Sequence, residues 1–156
     1  MTPRLGLVCI SERLTQQKIT AKTMTRKQFC TLGREVGLKV LSQRILHNSQ
    51  HMIRTLEAAI SAGARHYRVS SSLFPLLTDA TLELKYSDIH EFDTVVANLK
   101  AAGDYARAHD ITLSSHPDQF NVLSSYNPNV VDKTIRELDH QSYVLDMMGC
   151  KANYST

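Results

Sequence analysis

The alternation of short strand-like segments with longer helix-like segments constrains this chain more than any other feature. Residues 4–10, 66–70 and 111–115 are short aliphatic or β-branched runs, and each is followed by a stretch with apolar residues at helical spacing. Such alternation predicts an α/β fold in which the strands form a parallel sheet with right-handed crossovers. Three βα units are expected, and residues 151–156 lie where a fourth strand would start.

Three apolar stripes and their end signals define the predicted helices. Gly63 and Gly149 stand where a helix should stop, and Asn127 before Pro128 is a favourable helix start. The stripes are, in chain order, Leu38, Leu41, Ile45, Met52, Leu56 and Ile60; Ile89, Phe92, Val96, Leu99 and Ala102; and Val131, Ile135, Leu138, Leu145 and Met148.

Chain length limits how much of a barrel these units can build. A closed (β/α)₈ TIM barrel typically takes about 250 residues, whereas this chain has 156 and shows no internal linker. We therefore expect a single domain over residues 1–156 that forms a partial TIM (β/α) barrel and ends mid-architecture. No apolar run approaches the roughly 18 residues of a membrane span. The three cysteines are widely separated, so we expect a cytoplasmic protein with reduced thiols and no membrane partner.

Two predicted strands end in chemically distinctive loops. The third strand leads into His116-Pro117-Asp118-Gln119-Phe120, and residues 67–75 repeat the layout of strand, serines and proline turn. The carboxyl ends of parallel strands are where active sites collect in α/β folds. Both loops are therefore expected to open toward one site. From the residues alone, His116 could equally be a structural histidine, and Phe120 is more often a core residue than a contact.

Positive charge is concentrated in the first thirty residues. That segment has a formal charge of +5, whereas the remainder sums to −2. A basic loop rich in Thr and Gln between the first strand and the first long helix is typical of a contact with a polyanion backbone. The alternative is a solvated, mobile loop. The candidates for the contact are Arg13, Lys18, Lys22, Arg26 and Lys27.

These motifs together resemble those of the UV damage endonuclease family. The resemblance rests on Arg4-Leu5-Gly6, residues 68–75, the His116-Pro117-x-Gln119-Phe120 turn, and residues 132–138 followed by Met148-Gly149. It implies the amino-terminal half of a TIM-barrel DNA repair enzyme. Family members bind a cluster of divalent metals, with manganese implicated and zinc or magnesium as alternatives. They incise damaged double-stranded DNA on the 5′ side of UV photoproducts and some other lesions.

The resemblance assigns roles to individual residues. His116 matches a metal-ligand histidine and is the one catalytic candidate, since a neutral imidazole is a natural ligand for manganese or zinc. Gln119 and Phe120 match a pair that probes the duplex where nucleotides have left the stack. Asp79 stands near where the family often has a further histidine ligand, so it is either an oxygen ligand or an ordinary loop residue. Leu7 replaces a tyrosine that many members carry, and the family's later acidic and histidine ligands have no counterpart.

The sequence leaves two alternative functions open, and several other polar residues have structural rather than catalytic interpretations. A second hypothesis is a truncated, catalytically inert DNA-binding or assembly fragment that needs a separate carboxy-terminal half or self-association. A third is a metal-dependent, sugar isomerase-like barrel, although a sugar substrate does not call for a basic loop. His47 and His51 are expected to be solvated on a polar helix face, and Asn48 to face inward and brace a loop. Arg68, if buried, needs a carboxylate partner.

Overall fold

A three-stranded parallel sheet forms the base of the molecule. The computed structural model describes residues 5–8, 19–115, 117 and 120–150. The strands are β1 (Gly6–Val8), β2 (His66–Val69) and β3 (Thr112–Ser115), in the order β1-β2-β3. In register, His66 lies opposite Gly6 on one side and Thr112 on the other. The predicted parallel sheet is confirmed.

Helices connect the strands in the manner of a (β/α) barrel. Between β1 and β2 lie α1 (Arg26–Leu32), α2 (Arg34–Gln50) and α3 (Met52–Ser61). Helix α4 (Phe92–Ala108) connects β2 to β3, and α5 (Pro128–Met147) follows β3. Short 3₁₀ turns occupy Ser71–Leu73 and Tyr86–Asp88. The described residues form three βα units of a partial TIM barrel, while residues 151–156, the expected fourth strand, lie outside them.

Local capping explains where the helices begin and end. Asn127 accepts a hydrogen bond from the Asn129 amide at 3.0 Å, with Pro128 at the first helical position, as predicted. Gly63 and Gly149 both have positive φ angles, which suit a helix C-terminus. The predicted first helical region is interrupted at His51, which separates α2 from α3.

One helix was not foreseen in the basic segment. Thr25 and Gln28 form a reciprocal capping box, with both hydrogen bonds at 3.2 Å. This cap starts α1 at Arg26, so Arg26 and Lys27 lie in a helical first turn rather than in the predicted loop. Phe29 anchors the helix, because its side chain is only 3% exposed.

The hydrophobic core lies between the sheet and its helices. Tyr67 and Val69 project from β2 into this core, as the alternation of a strand requires. The largest fully buried side chains of the helices are Leu41, Ile45, Leu56, Val95 and Leu99, joined by Met148 directly after α5. In α4 the inward residue is Val95, one position before the predicted Val96.

The inward face of α5 differs from the predicted stripe. Its fully buried residues are Thr134, Gln141 and Val144, whereas Ile135 is 44% exposed. The physical reason is a polar contact: the Thr134 hydroxyl accepts a hydrogen bond from the Val122 amide at 3.0 Å. Thr134 is therefore buried because it holds the loop after β3 against α5, although its side chain is polar.

The opposite face of the sheet is polar. His66 bridges the hydroxyl groups of Thr112 and Ser114, at 2.8 and 2.9 Å. Beside it the Nε atom of Arg68 is buried without a hydrogen bond, so the expected carboxylate partner is absent among the residues described. Within the same residues, no helix is both long enough and apolar enough to cross a membrane.

Candidate functional site

A cleft opens where β2 and β3 end, and we refer to it as the strand-end cleft. Its volume is about 330 Å³, within the roughly 300–1,000 Å³ of small-ligand pockets. The loop after β2, the turn after β3, the end of the basic segment and one side of α5 form its walls. The lining residues include Thr23 and Met24, Ser71 and Ser72, Phe120 and Asn121, and Lys133, Glu137 and His140.

Asn48 fixes the basic segment to the loop after β2. Its side-chain oxygen accepts a hydrogen bond from the Lys22 amide at 2.6 Å, and its NH₂ group donates to the Lys22 carbonyl at 3.1 Å. The same NH₂ group lies 3.2 Å from the carbonyl oxygens of Ser72 and Leu73. Because Asn48 is only 5% exposed, these bonds form in a shielded environment. The prediction that Asn48 faces inward and braces a loop is confirmed.

The basic segment reaches the cleft at its end. Lys22 is exposed and immediately precedes Thr23 and Met24, which line the cleft. Arg26 lies 3.4 Å from the Thr81 hydroxyl, and Lys27 is exposed on α1. Arg13 and Lys18 lie outside the described residues. The structure therefore positions three of the five basic candidates, and their role as phosphate contacts stays a prediction.

The turn after β3 presents an aromatic ring to the cleft. Phe120 is 66% exposed, which rules out the core position that its residue type alone favours. The Thr134 hydrogen bond to Val122 holds this turn against α5. His116 and Gln119, the metal-ligand and probing candidates of the same turn, lie outside the described residues.

Asp79 makes local bonds. Its Oδ1 atom accepts hydrogen bonds from the Thr81 amide at 2.9 Å and from the Thr81 hydroxyl at 2.6 Å. This pattern stabilises a turn, as Asp side chains commonly do in loops. Thr78, next to Asp79, lines the strand-end cleft. A metal role for Asp79 stays a prediction.

His47 is less solvated than its polar helix face suggested. Its Nε2 atom is buried without a hydrogen bond, and its ring lies 4.1 Å from that of His51 between centroids. Burial lowers the pKa of His47, and His51 and Lys22 act in the same direction. The described residues contain no group of three or more His, Cys, Asp or Glu side chains able to hold a metal ion. They do not by themselves fit a divalent metal cluster.

The sequence did not predict the pairing of a cleft-lining histidine, His140, with a tyrosine next to it, Tyr86. The Tyr86 hydroxyl lies 2.5 Å from Nδ1 of His140, and Phe74 packs edge-on against the same imidazole. Nothing in the sequence singles out His140, because no local pattern brings Tyr86 close to it. The pairing arises from folding the second 3₁₀ turn against α5.

Comparisons with known proteins agree with the fold and the motifs. A family model described as UV-endonuclease UvdE matches residues 3–155. A UV DNA damage endonuclease from Nostoc sp. is 33% identical over 147 residues, which are 94% of this chain and 44% of that protein. One from Bacillus cereus is 30% identical over 129 residues, covering 83% of this chain and 39% of that protein.

A solved structure supports the same assignment. The crystal structure of SacUVDE matches with a TM-score of 0.70 at 28% identity, over 94% of this chain and 46% of that chain. This chain therefore spans less than half the length of these relatives. The family match extends over nearly all of its residues and includes the strand-end motifs. The chain belongs to the UV-endonuclease UvdE family.

Proposed function

We propose that this chain forms the DNA-reading part of a UV damage endonuclease and acts on damaged double-stranded DNA. The observation that carries the proposal is Phe120, a large aromatic side chain that is 66% exposed on the wall of the strand-end cleft. Exposing an aromatic ring forgoes the free energy of burying it. Stacking on an unstacked nucleobase recovers that free energy. Gln119, its neighbour in sequence, is proposed to satisfy base edges exposed by the lesion.

The basic segment is proposed to contact the DNA backbone. Asn48 holds Lys22 beside the loop after β2, and Arg26 and Lys27 follow on α1. For each phosphate that a basic side chain neutralises, the slope of log affinity against log salt concentration becomes steeper by roughly −0.9. We expect the paired change Lys22→Glu and Lys27→Glu to weaken binding to damaged and undamaged duplexes alike, with a shallower salt slope. Arg13 and Lys18 are proposed to act in the same way.

A matched control separates this contact from general electrostatics. Lys39→Glu and Arg54→Glu make the same change of charge on exposed positions of α2 and α3. We expect a clearly smaller effect from this pair. An unchanged affinity and salt slope in the Lys22 and Lys27 variant would exclude the segment as a phosphate contact.

The reaction proposed for the complete site is metal-dependent incision 5′ to UV photoproducts and other lesions. Divalent metals would neutralise charge on the phosphodiester group during its hydrolysis. We propose His116 as a ligand and manganese as the metal, with zinc or magnesium as alternatives.

A second candidate function is DNA binding without turnover. It is favoured by the coverage of the match, which takes in only 44% of the Nostoc relative. In that case incision requires the part of the relatives' length that the match does not cover, or self-association. An assay for nicking of a UV-irradiated duplex in the presence of manganese distinguishes the two functions, because only the endonuclease cuts the DNA.

The incision assay has a definite expectation. We expect the 156-residue chain alone to nick the duplex far more slowly than a complete family member. Activity should rise when the carboxy-terminal half of a relative is added, and His116→Ala should abolish the gain. Robust nicking by the chain alone that His116→Ala abolishes would show that these residues suffice. No gain with any added half would contradict the proposed reaction.

A further inference from the structure

On the α5 side of the strand-end cleft lies His140, whose imidazole contacts Tyr86 and Phe74. Nδ1 of His140 lies 2.5 Å from the Tyr86 hydroxyl, and the two rings are inclined by only 13°. The two ring planes are therefore nearly parallel, with the hydroxyl within hydrogen-bond distance of Nδ1. Phe74 packs edge-on at 5.6 Å between centroids and restrains the same ring.

The direction of this hydrogen bond sets the tautomer of His140. Burial, with smaller contributions from Tyr143 and Glu137, raises the pKa of Tyr86 to about 12, so the phenol keeps its proton and has an O–H group to donate to Nδ1. Burial also lowers the pKa of His140, so the imidazole is neutral near pH 7. A neutral imidazole that accepts at Nδ1 carries its proton at Nε2. Within the described part of the chain, that Nε2–H group has no hydrogen-bond acceptor.

An acceptor lies one helical turn away. Glu137 precedes His140 by three residues on α5, so the two side chains are neighbours on one face, and both line the strand-end cleft. One carboxylate oxygen of Glu137 accepts from the Gln141 amide at 2.8 Å, which orients the group and leaves its second oxygen available. The cleft thus offers a donor, an acceptor and the ring of Phe120.

We propose that His140 and Glu137 read the edge of a displaced thymine-type base in the strand-end cleft. His140 donates from Nε2 to a ring carbonyl oxygen, and Glu137 accepts from the neighbouring N3–H group. Phe120 stacks on the face of the same base. Cytosine is disfavoured, because its N3 atom is an acceptor and would oppose the carboxylate. This inference rests on the proposed function, to which it adds the base class that the site selects.

Ligand and protein changes can be combined to test the contact. The probe is a duplex with one unpaired thymine, compared with the same duplex carrying 3-methylthymine, which has no N3–H group. We expect methylation to weaken binding by the unmodified chain about three- to tenfold. Methylation should not change the affinity of the Glu137→Ala variant for the duplex. Asp139→Ala, an exposed acid on the same helix, is the control and should respond to methylation like the unmodified chain.

His140 is tested by removal and by rescue. His140→Ala should weaken binding of the thymine duplex about three- to tenfold, whereas His140→Gln, which keeps an N–H donor near the position of Nε2, should retain most of the affinity. Equal losses in both variants, or equal responses of Glu137→Ala and Asp139→Ala to methylation, would overturn the proposal.

A readout without duplex DNA separates this inference from the proposed function. Imidazole ¹⁵N spectra of the unmodified chain should show His140 protonated at Nε2, and that signal should shift on titration with thymidine 5′-monophosphate but not with the cytidine analogue. A proton on Nδ1, or no selective shift, would disprove base reading even if damaged DNA is preferred. A selective shift without any preference for damaged duplex would keep the inference and contradict the proposed function.

Discussion

At the residue scale, two half-buried titratable groups, His140 and Tyr86, should contribute to the pH dependence of stability. The pKa of His140 is lowered by burial, while an unfolded chain has a histidine pKa of about 6.5. The unfolded state therefore binds more protons as the pH falls below that value, and the folded state loses stability. Tyr86 acts in the opposite sense. Its pKa of about 12 lies above the unfolded value of about 10, so its contribution is present below pH 10 and is lost as the pH rises toward 12.

Urea unfolding as a function of pH checks this prediction. We expect the free energy of unfolding to decline on both sides of neutral pH. His140→Gln should reduce the acid decline, leaving the share due to His47, whose pKa is also lowered. Tyr86→Phe should reduce the alkaline decline. The exposed His109 provides the control His109→Gln. An acid decline that is equal in the His140 and His109 variants would show that His140 is not buried as described.

Individual residues differ in how far the sequence could predict them. Asn48 was predicted to face inward because it lies at helical spacing from apolar neighbours. The exposure of Phe120 needed the family resemblance, since an isolated phenylalanine after a strand is usually core. The bond between Tyr86 and His140 joins residues 54 positions apart, and no local pattern encodes such a contact. Arg68 was expected to pair if buried, and it shows no such pair within the described residues.

At the element scale, the position of the basic segment depends on Asn48. Asn48→Ala should cost about 1–3 kcal/mol of stability, because several buried backbone groups lose their partner. It should also accelerate hydrogen exchange of the Lys22 amide, which donates to Asn48, and weaken binding to any duplex. Gln50→Ala, at an exposed position of α2, should do neither. Unchanged exchange at Lys22 would contradict the role given to Asn48.

The contact between α4 and the end of α5 depends on a glycine. A Cβ atom at Gly103 would lie 1.7 Å from the Met148 carbonyl oxygen and 2.7 Å from its carbonyl carbon. Backbone atoms cannot rotate away, so Gly103→Ala should destabilise the fold by about 3 kcal/mol, at the upper end of overpacking effects. Ala101→Ser, on the exposed side of α4, should change stability by less than about 0.5 kcal/mol. Similar urea midpoints for the two variants would show that the helices are not in backbone contact.

Helix ends were predicted more reliably than helix faces. Asn127-Pro128 and Gly149 delimit α5 as expected, because capping depends on local residues. The buried face of α5 was not predicted, since Thr134 and Gln141 are polar side chains that apolar periodicity does not place inside. Thr134 is buried where it accepts a hydrogen bond from the Val122 amide of the preceding loop, and Gln141 donates to Glu137 on the same helix. The start of α1 was also missed, although the reciprocal pair Thr25 and Gln28 is a local signal that could have revealed it.

At the scale of the whole molecule, the alternating pattern was sufficient to predict the architecture. Three βα units and a parallel sheet follow from the alternation of strands and helices, and the structure adds the sequential strand order. The chemistry was less accessible, because strand-end loops carry it and their meaning came from the family motif. The structure adds that the basic segment, the Phe120 turn and α5 surround one cleft. This arrangement is the basis for the proposal that the chain reads damaged DNA.

The central claim is best tested by the ratio of two dissociation constants. They are measured by fluorescence anisotropy for a duplex with one thymine dimer and for the same duplex undamaged. We predict that the chain prefers the damaged duplex and that Phe120→Ala removes about 1–3 kcal/mol of that preference, the worth of one base-aromatic stack. Gln119→Ala should act in the same direction, less strongly. Tyr126→Ala, which removes a fully exposed aromatic outside the residues lining the cleft, should leave the ratio unchanged. Equal affinity for both duplexes, or full preference in the Phe120 variant, would contradict the account.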